Sequence, residues 1–298
     1  MLNDRITNYL HLHLIVFIWG FTAILGALIS IDAIPLVWFR ILLAVIFIFI
    51  FIILRKISFK KTSKELFRFF IGGILIAVHW ITFFYAIKIS NVSVTLATMS
   101  TGAFFVTLIQ LAVFRKKIII YEVIFSLLAI VGLVIMFNAE TEYMLGIIFA
   151  LISAFLSASF SILNADLIKF HNATIISFYE LFFAVIFITM LLFFNGTIDA
   201  HFFILSKADW VYLIILASIC TAYAFVASTK VLKSVSPFTM MLTINLEPVY
   251  GIILAIIIFG QKEIMTPNFY YGALIILVTV ILNGLIKYRP GLFRIKSK

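Results

Sequence analysis

Apolar residues run in long blocks separated by short polar breaks from one end of the chain to the other. A helix rises about 1.5 Å per residue, so a block of roughly 20 apolar residues crosses the ~30 Å hydrocarbon core of a bilayer. Blocks of that size are read at about ten places, roughly 10–30, 33–54, 66–88, 91–114, 118–138, 143–163, 174–194, 208–229, 236–259 and 268–287. The short alternating pattern of an outer-membrane barrel strand is absent, so the predicted fold is an all-α membrane protein. The start, MLNDRITNY, is weakly charged and precedes no small-x-small site, which predicts that the first span is retained.

The pattern repeats. The letters AVIFI occur at Ala44 to Ile48 and again at Ala184 to Ile188, 140 residues on. Four residues before each copy stands a charge within the apolar run, Arg40 in the first and Glu180 in the second. Asn91-Val92-Ser93 answers Ser234-Val235-Ser236, Trp80 answers Tyr223, and Phe104-Phe105 stands where the second copy has Glu247-Pro248. The chain is therefore expected to hold two five-helix units, 1–140 and 141–298, with Asn138 to Glu142 as the seam. Five spans is an odd number, so the second unit enters the membrane from the opposite side and the repeat is inverted.

Composition agrees with this reading. With 65% hydrophobic and 11% charged residues the chain has too little polar surface to cover a soluble globule. The net charge of +10 would suggest nucleic acid in a soluble protein. Here eighteen of the 22 Lys and Arg fall in loops on one side, only Lys88, Lys207 and Lys262 fall on the other, and Arg40 lies within a span. That asymmetry places both termini in the cytoplasm and, with attraction to anionic lipid, accounts for the basicity without nucleic acid. Cys220 is the single cysteine, so no intrachain disulfide can form.

Ionisable groups inside membrane helices are costly and mark candidate sites. Glu247 lies about twelve residues, or ~18 Å, into its span, close to the midplane, and His79 and Trp19 are similarly central. Glu247, His79 and Asn245 are expected to line a central cavity, holding a substrate ammonium or exchanging a proton. Pro248 cannot donate its N–H to the carbonyl of Ile244 and is expected to kink the helix there. Arg40 and Glu180 each stand ~10 Å deep, measured from opposite faces, so they are expected to serve separate mouths rather than to bridge. Trp80, Tyr179 and Tyr223 complete the candidate set for substrate binding or gating, the tyrosines because a hydroxyl in lipid needs a partner. Ser153, Ser157, Ser161 and Asn164 form a helical stripe read as helix packing, as do Thr98, Thr101 and Gly102. No phosphate-cradling loop, zinc pair or nucleophile elbow is present, so the chain is expected to be no enzyme and to need no metal and no cofactor.

The segment Asn245-Leu246-Glu247-Pro248-Val249-Tyr250-Gly251, followed by Phe259-Gly260 and Gln261-Lys262-Glu263, resembles the signature near the ninth helix of the EamA family in the drug/metabolite transporter superfamily. Trp19-Gly20-Phe21 resembles the family's first helix, while Gln261 stands where an acid is usual. The resemblance implies a secondary transporter exporting small metabolites, amino acids or drugs across a bacterial inner membrane. The expected partners are a small-molecule substrate and the lipid bilayer, with room for a homodimer. Two alternatives stand beside it: an intramembrane lipid-modifying enzyme using His79 and Glu247 as acid and base, and a nucleotide-sugar-type antiporter, disfavoured by the scarcity of cations.

Overall fold

The computed structural model describes residues 2–114, 120–139, 141–199 and 201–288. Arg115 to Lys117, Glu140 of the seam and the basic tail from Arg289 lie outside the described residues. Helix covers each block that the hydropathy marks, and no strand occurs among the described residues. The helices are α1 (Leu2–Leu28), α2 (Ala33–Leu54), α3 (Ser63–Ile89), α4 (Val92–Met99), α5 (Gly102–Phe114), α6 (Ile120–Ala139) and α7 (Met144–Leu167). They continue as α8 (Ala173–Phe194), α9 (Lys207–Ala217), α10 (Ala224–Val231), α11 (Pro237–Ile244), α12 (Glu247–Phe259) and α13 (Pro267–Tyr288). Among the described residues seven helical segments are long and apolar enough to cross a membrane, and shorter apolar helices accompany them.

Two of the expected continuous spans are broken. α4 and α5 are separated by Ser100-Thr101, and α11 and α12 by Asn245-Leu246. The two broken spans match in dimension, eight residues then thirteen in each. Both begin on a capped residue, Asn91 accepting from Val94 N and Ser236 from Thr239 N. This register corrects the expected correspondence by two residues: Gly102-Ala103, not Phe104-Phe105, answers Glu247-Pro248. Pro248 lies in the first turn of a new helix, where its missing N–H costs nothing, rather than kinking a continuous one. In the first copy the break has no proline. Thr98 Oγ1 bonds back to the Val94 carbonyl and Thr101 Oγ1 to that of Thr98, offering the backbone side-chain partners in place of the regular ladder.

The duplication is visible in the packing. α2 lies on α8, α6 on α13, α4 on α12 and α5 on α11, so each of these spans meets its own counterpart. Other contacts mirror one another: α3 packs on α8 as α9 packs on α2, and α1 packs on α12 as α7 packs on α5. Ala44 and Ala184, the first residues of the two AVIFI copies, are both fully buried, as the close approach of α2 and α8 requires. Trp38 Nε1 donates to Thr189 Oγ1 at 2.8 Å across that contact.

The helical corners are tied in the same mirrored way. Between α1 and α2, the N–H and hydroxyl of Ser30 donate to Asp209 at the start of α9, each at 2.7 Å, and Lys88 Nζ donates to the carbonyl of Ile29. Between α7 and α8, His171 Nδ1 stands 3.3 Å from Glu65 Oε1, while Arg68 of α3 pairs with Asp166 of α7 at 2.5 Å. Burial holds the His171 imidazole below its ordinary value, with the Glu65 carboxylate working the other way.

Candidate functional site

α1, α2, α3 and α4 of the first repeat meet α7, α10, α11 and α12 of the second around a cavity of about 90 Å³. One water occupies roughly 10–15 Å³ by this measure, so there is room for several waters or a small solute. Of the residues expected at a central site, Trp19, Arg40, His79, Trp80 and Glu247 border it. Tyr179, Glu180, Tyr223 and Asn245 do not.

Arg40 is the central feature. It does not snorkel to an outer surface: it is 1% exposed and lies inward from α2. Its Nε donates to Thr221 Oγ1 at 2.6 Å, and its guanidinium carbon lies 3.8 Å from the centroid of Trp80 and 5.4 Å from that of Phe84. A cation stacked on an indole and away from water gains about 2 kcal/mol from the ring quadrupole. The acceptor exists because α9 and α10 are joined by a π-turn, Ser218–Tyr223, in which Thr221 Oγ1 also donates to the Leu216 carbonyl five residues back at 2.7 Å. One-turn π segments inside α-helices commonly mark functional positions. Nη1 of Arg40 is buried without a hydrogen bond.

Glu247 enters from the second repeat as the first residue of α12, set there by the break at Asn245-Leu246. It borders the same cavity as Arg40 but makes no ion pair with it, so the cavity presents one cation and one acid that do not neutralise each other directly. At the break itself, Asn245 is 1% exposed, and both its amide nitrogen and oxygen lack hydrogen bonds. Thr22 Oγ1, on the α1 side of the cavity, is likewise unpartnered.

His79 is held rather than free. Its Nδ1 lies 3.0 Å from the Ser153 carbonyl and 2.8 Å from Ser153 Oγ, which itself donates to the His79 carbonyl at 3.0 Å. A carbonyl only accepts, so this network puts the imidazole proton on Nδ1 and leaves Nε2 as an acceptor. The serine stripe of α7, expected to be packing, divides: Ser153 binds His79, while Ser157 and Ser161 border the cavity.

The other expected residues have different partners. Tyr179 donates to the Phe59 carbonyl at 2.7 Å and stacks on Phe69. Tyr223 is 45% exposed and bonds His11 at 2.9 Å. Glu180 is fully buried and accepts from Asn164 Nδ2 at 3.1 Å. The residues that sequence reasoning missed are Thr22, Thr221 and the pair Ser228-Thr229, which also borders the cavity. Their only sequence signal is a hydroxyl within an apolar run, a signal shared with many packing positions.

Among the described residues no three His, Cys, Asp or Glu side chains gather as a metal would require. The model of the EamA-like transporter family matches the chain twice, over residues 7–138 and again over 144–285. No curated protein matches the sequence. A solved crystal structure aligns over 97% of this chain and 99% of its own with a TM-score of 0.66. At 12% identity that likeness is one of fold alone.

Proposed function

Because this chain belongs to the EamA-like transporter family, we propose that it is a secondary transporter that carries small zwitterionic solutes, amino acids foremost, by alternating access. The reading takes ten membrane crossings, both termini cytoplasmic and a second repeat inverted on the first, in the inner membrane, with export as the direction the family resemblance suggests. The observation that carries the substrate class is the pairing of Arg40 and Glu247 on one cavity. An unsatisfied guanidinium N–H suits a carboxylate, and an acid across the space suits an ammonium. A polyphosphate would need several cations, and Arg40 is the cavity's single one among the described residues.

Alternating access is supported by the way the cavity is made. Each wall comes from a different repeat, and the two broken spans pack on each other beside it, so a rocking of one bundle against the other changes access without dismantling either. The lipid-enzyme alternative has less support, because the family model that matches both repeats is one of transporters. The test is counterflow in vesicles containing the purified protein, using a panel of labelled amino acids, cationic amines and sugars, with product analysis. Exchange of amino acids unchanged in chemistry supports the reading. Exchange of amines or sugars alone removes the zwitterion assignment, and chemical conversion of the label replaces the transporter with an enzyme.

A further inference from the structure

Beyond the charged pair of the cavity, a strip of buried polar atoms runs between α7 and α8. Ser161 and Asn164 stand one turn apart on α7, and Ser177 and Glu180 one turn apart on α8. Asn164, Ser177 and Glu180 are 0% exposed, and Ser161 is 6% exposed. Asn164 Nδ2 donates to Glu180 Oε1, which joins the two helices. Ser161 Oγ, Asn164 Oδ1, Glu180 Oε2 and Ser177 Oγ nevertheless all lack a hydrogen bond. Buried polar atoms are bonded in the great majority of cases, so four unsatisfied ones along a single strip call for a ligand or a role. α3 leaves space for the carboxyl: a Cβ at Gly73 would lie 2.5 Å from the Glu180 carbonyl oxygen, and one at Gly72 would strike the carboxyl itself.

Among the described residues no charge answers Glu180 from the helices around it. On α3 it faces Gly72 and Gly73, between Arg68, which pairs with Asp166, and His79, which bonds Ser153. On α2 the cation is Arg40, engaged with Thr221, and on α10 it is Lys230, which is exposed. On α7 the charged group is the acid Asp166, held by Arg68 and Lys169, and on α8 itself the neighbouring Tyr179 bonds the Phe59 carbonyl. A lone carboxylate at this depth is unfavourable, whereas the neutral acid needs an acceptor for its O–H, and the unpartnered oxygens of the strip are of that kind.

We propose that Glu180 is a proton-binding site, connected to the cavity through Asn164 and Ser161, and that it carries the coupling proton of transport. Ser161 borders the cavity, so the strip opens to it at that end. The carboxylate takes up one proton and the acid returns one, and no other reactant enters. The coupling part rests on the transporter reading above; the proton-binding part does not.

Infrared difference spectra of the whole protein in lipid test the site itself. The expected result is a protonated-carboxyl C=O band at neutral pH that is lost in Glu180→Gln, shifts on transfer to D2O, and disappears when the pH is raised. A slower D2O shift is expected in Ser161→Ala. Identical spectra for wild type and Glu180→Gln, or a band that D2O leaves in place, would overturn the proposal. Should Glu180→Gln fold poorly, Glu180→Asp serves in its place, with the band moved rather than lost. In vesicles, Glu180→Gln should keep counterflow of the labelled amino acid and lose accumulation driven by an imposed pH gradient. Gradient-driven accumulation retained in that variant would overturn the coupling role. If wild type moves no amino acid, the transporter reading fails while the infrared bands still decide Glu180.

Discussion

Arg40 donates through Nε to Thr221 Oγ1 at 2.6 Å, and this bond, together with the stacking on Trp80, holds the Arg40 side chain at the cavity. Glu180 is bonded instead to Asn164 of α7. The two charges that hold matching places in the repeat therefore serve different helix contacts.

Single charge reversals at Arg40 and Glu180 should each impair transport, and the double variant Arg40→Glu with Glu180→Arg should show losses that add to within about 0.5 kcal/mol. Transport at equal membrane abundance is the measurement. Substantial recovery in the double variant would mean that the two side chains meet during the cycle, against the partners seen for each.

Glu247→Gln should preserve folding and membrane abundance, since the amide keeps the volume of the acid, yet abolish transport or flatten its pH dependence. Arg40→Gln should weaken carboxylate-bearing solutes more than simple amines, and competition in the vesicle assay reads this directly. Equal effects on both classes would take the carboxylate away from Arg40.

The crossing of α6 and α13 depends on two glycines. A Cβ on Gly132 would lie 2.8 Å from the Gly272 carbonyl oxygen, and one on Gly272 would lie 2.6 Å from the Gly132 carbonyl oxygen. Backbones this close have no side chain to move aside, so Gly132→Val or Gly272→Val should cost about 1–3 kcal/mol as overpacking. Thermal unfolding of the detergent-solubilised protein measures it; an unchanged transition would show that the two helices can separate freely.

The two corner ties should differ in strength. Asp209 is 2% exposed and accepts from Ser30 and Ser206, so Asp209→Ala should cost about 2–4 kcal/mol through its lost charged hydrogen bonds. The Arg68–Asp166 pair has side chains 33% and 46% exposed, and Arg68→Ala should cost no more than about 1 kcal/mol. A larger loss at Arg68 than at Asp209 in the same unfolding assay would reverse the assignment of which corner is the firmer.

Orientation is open to a direct check. Reporters fused after Lys61 and after Lys298 should read cytoplasm, and one after Thr141 should read the outside. An outward signal at Lys298 would sink the inverted arrangement of the two repeats.

The sequence by itself determined the helical class, the placement of the apolar segments and the duplication, because lipid demands long apolar helices and a repeated helix keeps its letters, as AVIFI does on α2 and α8. It also marked Trp19, Arg40, His79, Trp80 and Glu247, because a charge, imidazole or indole within an apolar block stands out whatever it touches. Partners were not legible. Whether Ser161 borders a cavity or Ser153 fixes an imidazole depends on which way α7 is rotated against α3, and a serine stripe reads the same for either. Pro248 marked the place of one break as a kink but not that a new helix starts there, and the counterpart at Ser100-Thr101 has no proline to mark it. Only the tertiary structure decided that Arg40 meets a threonine, since the acceptor arises from a π-turn in another span. Only it decided that Glu180 lies among unpartnered oxygens between α7 and α8, since long-range helix contacts, not local pattern, determine which buried groups find partners.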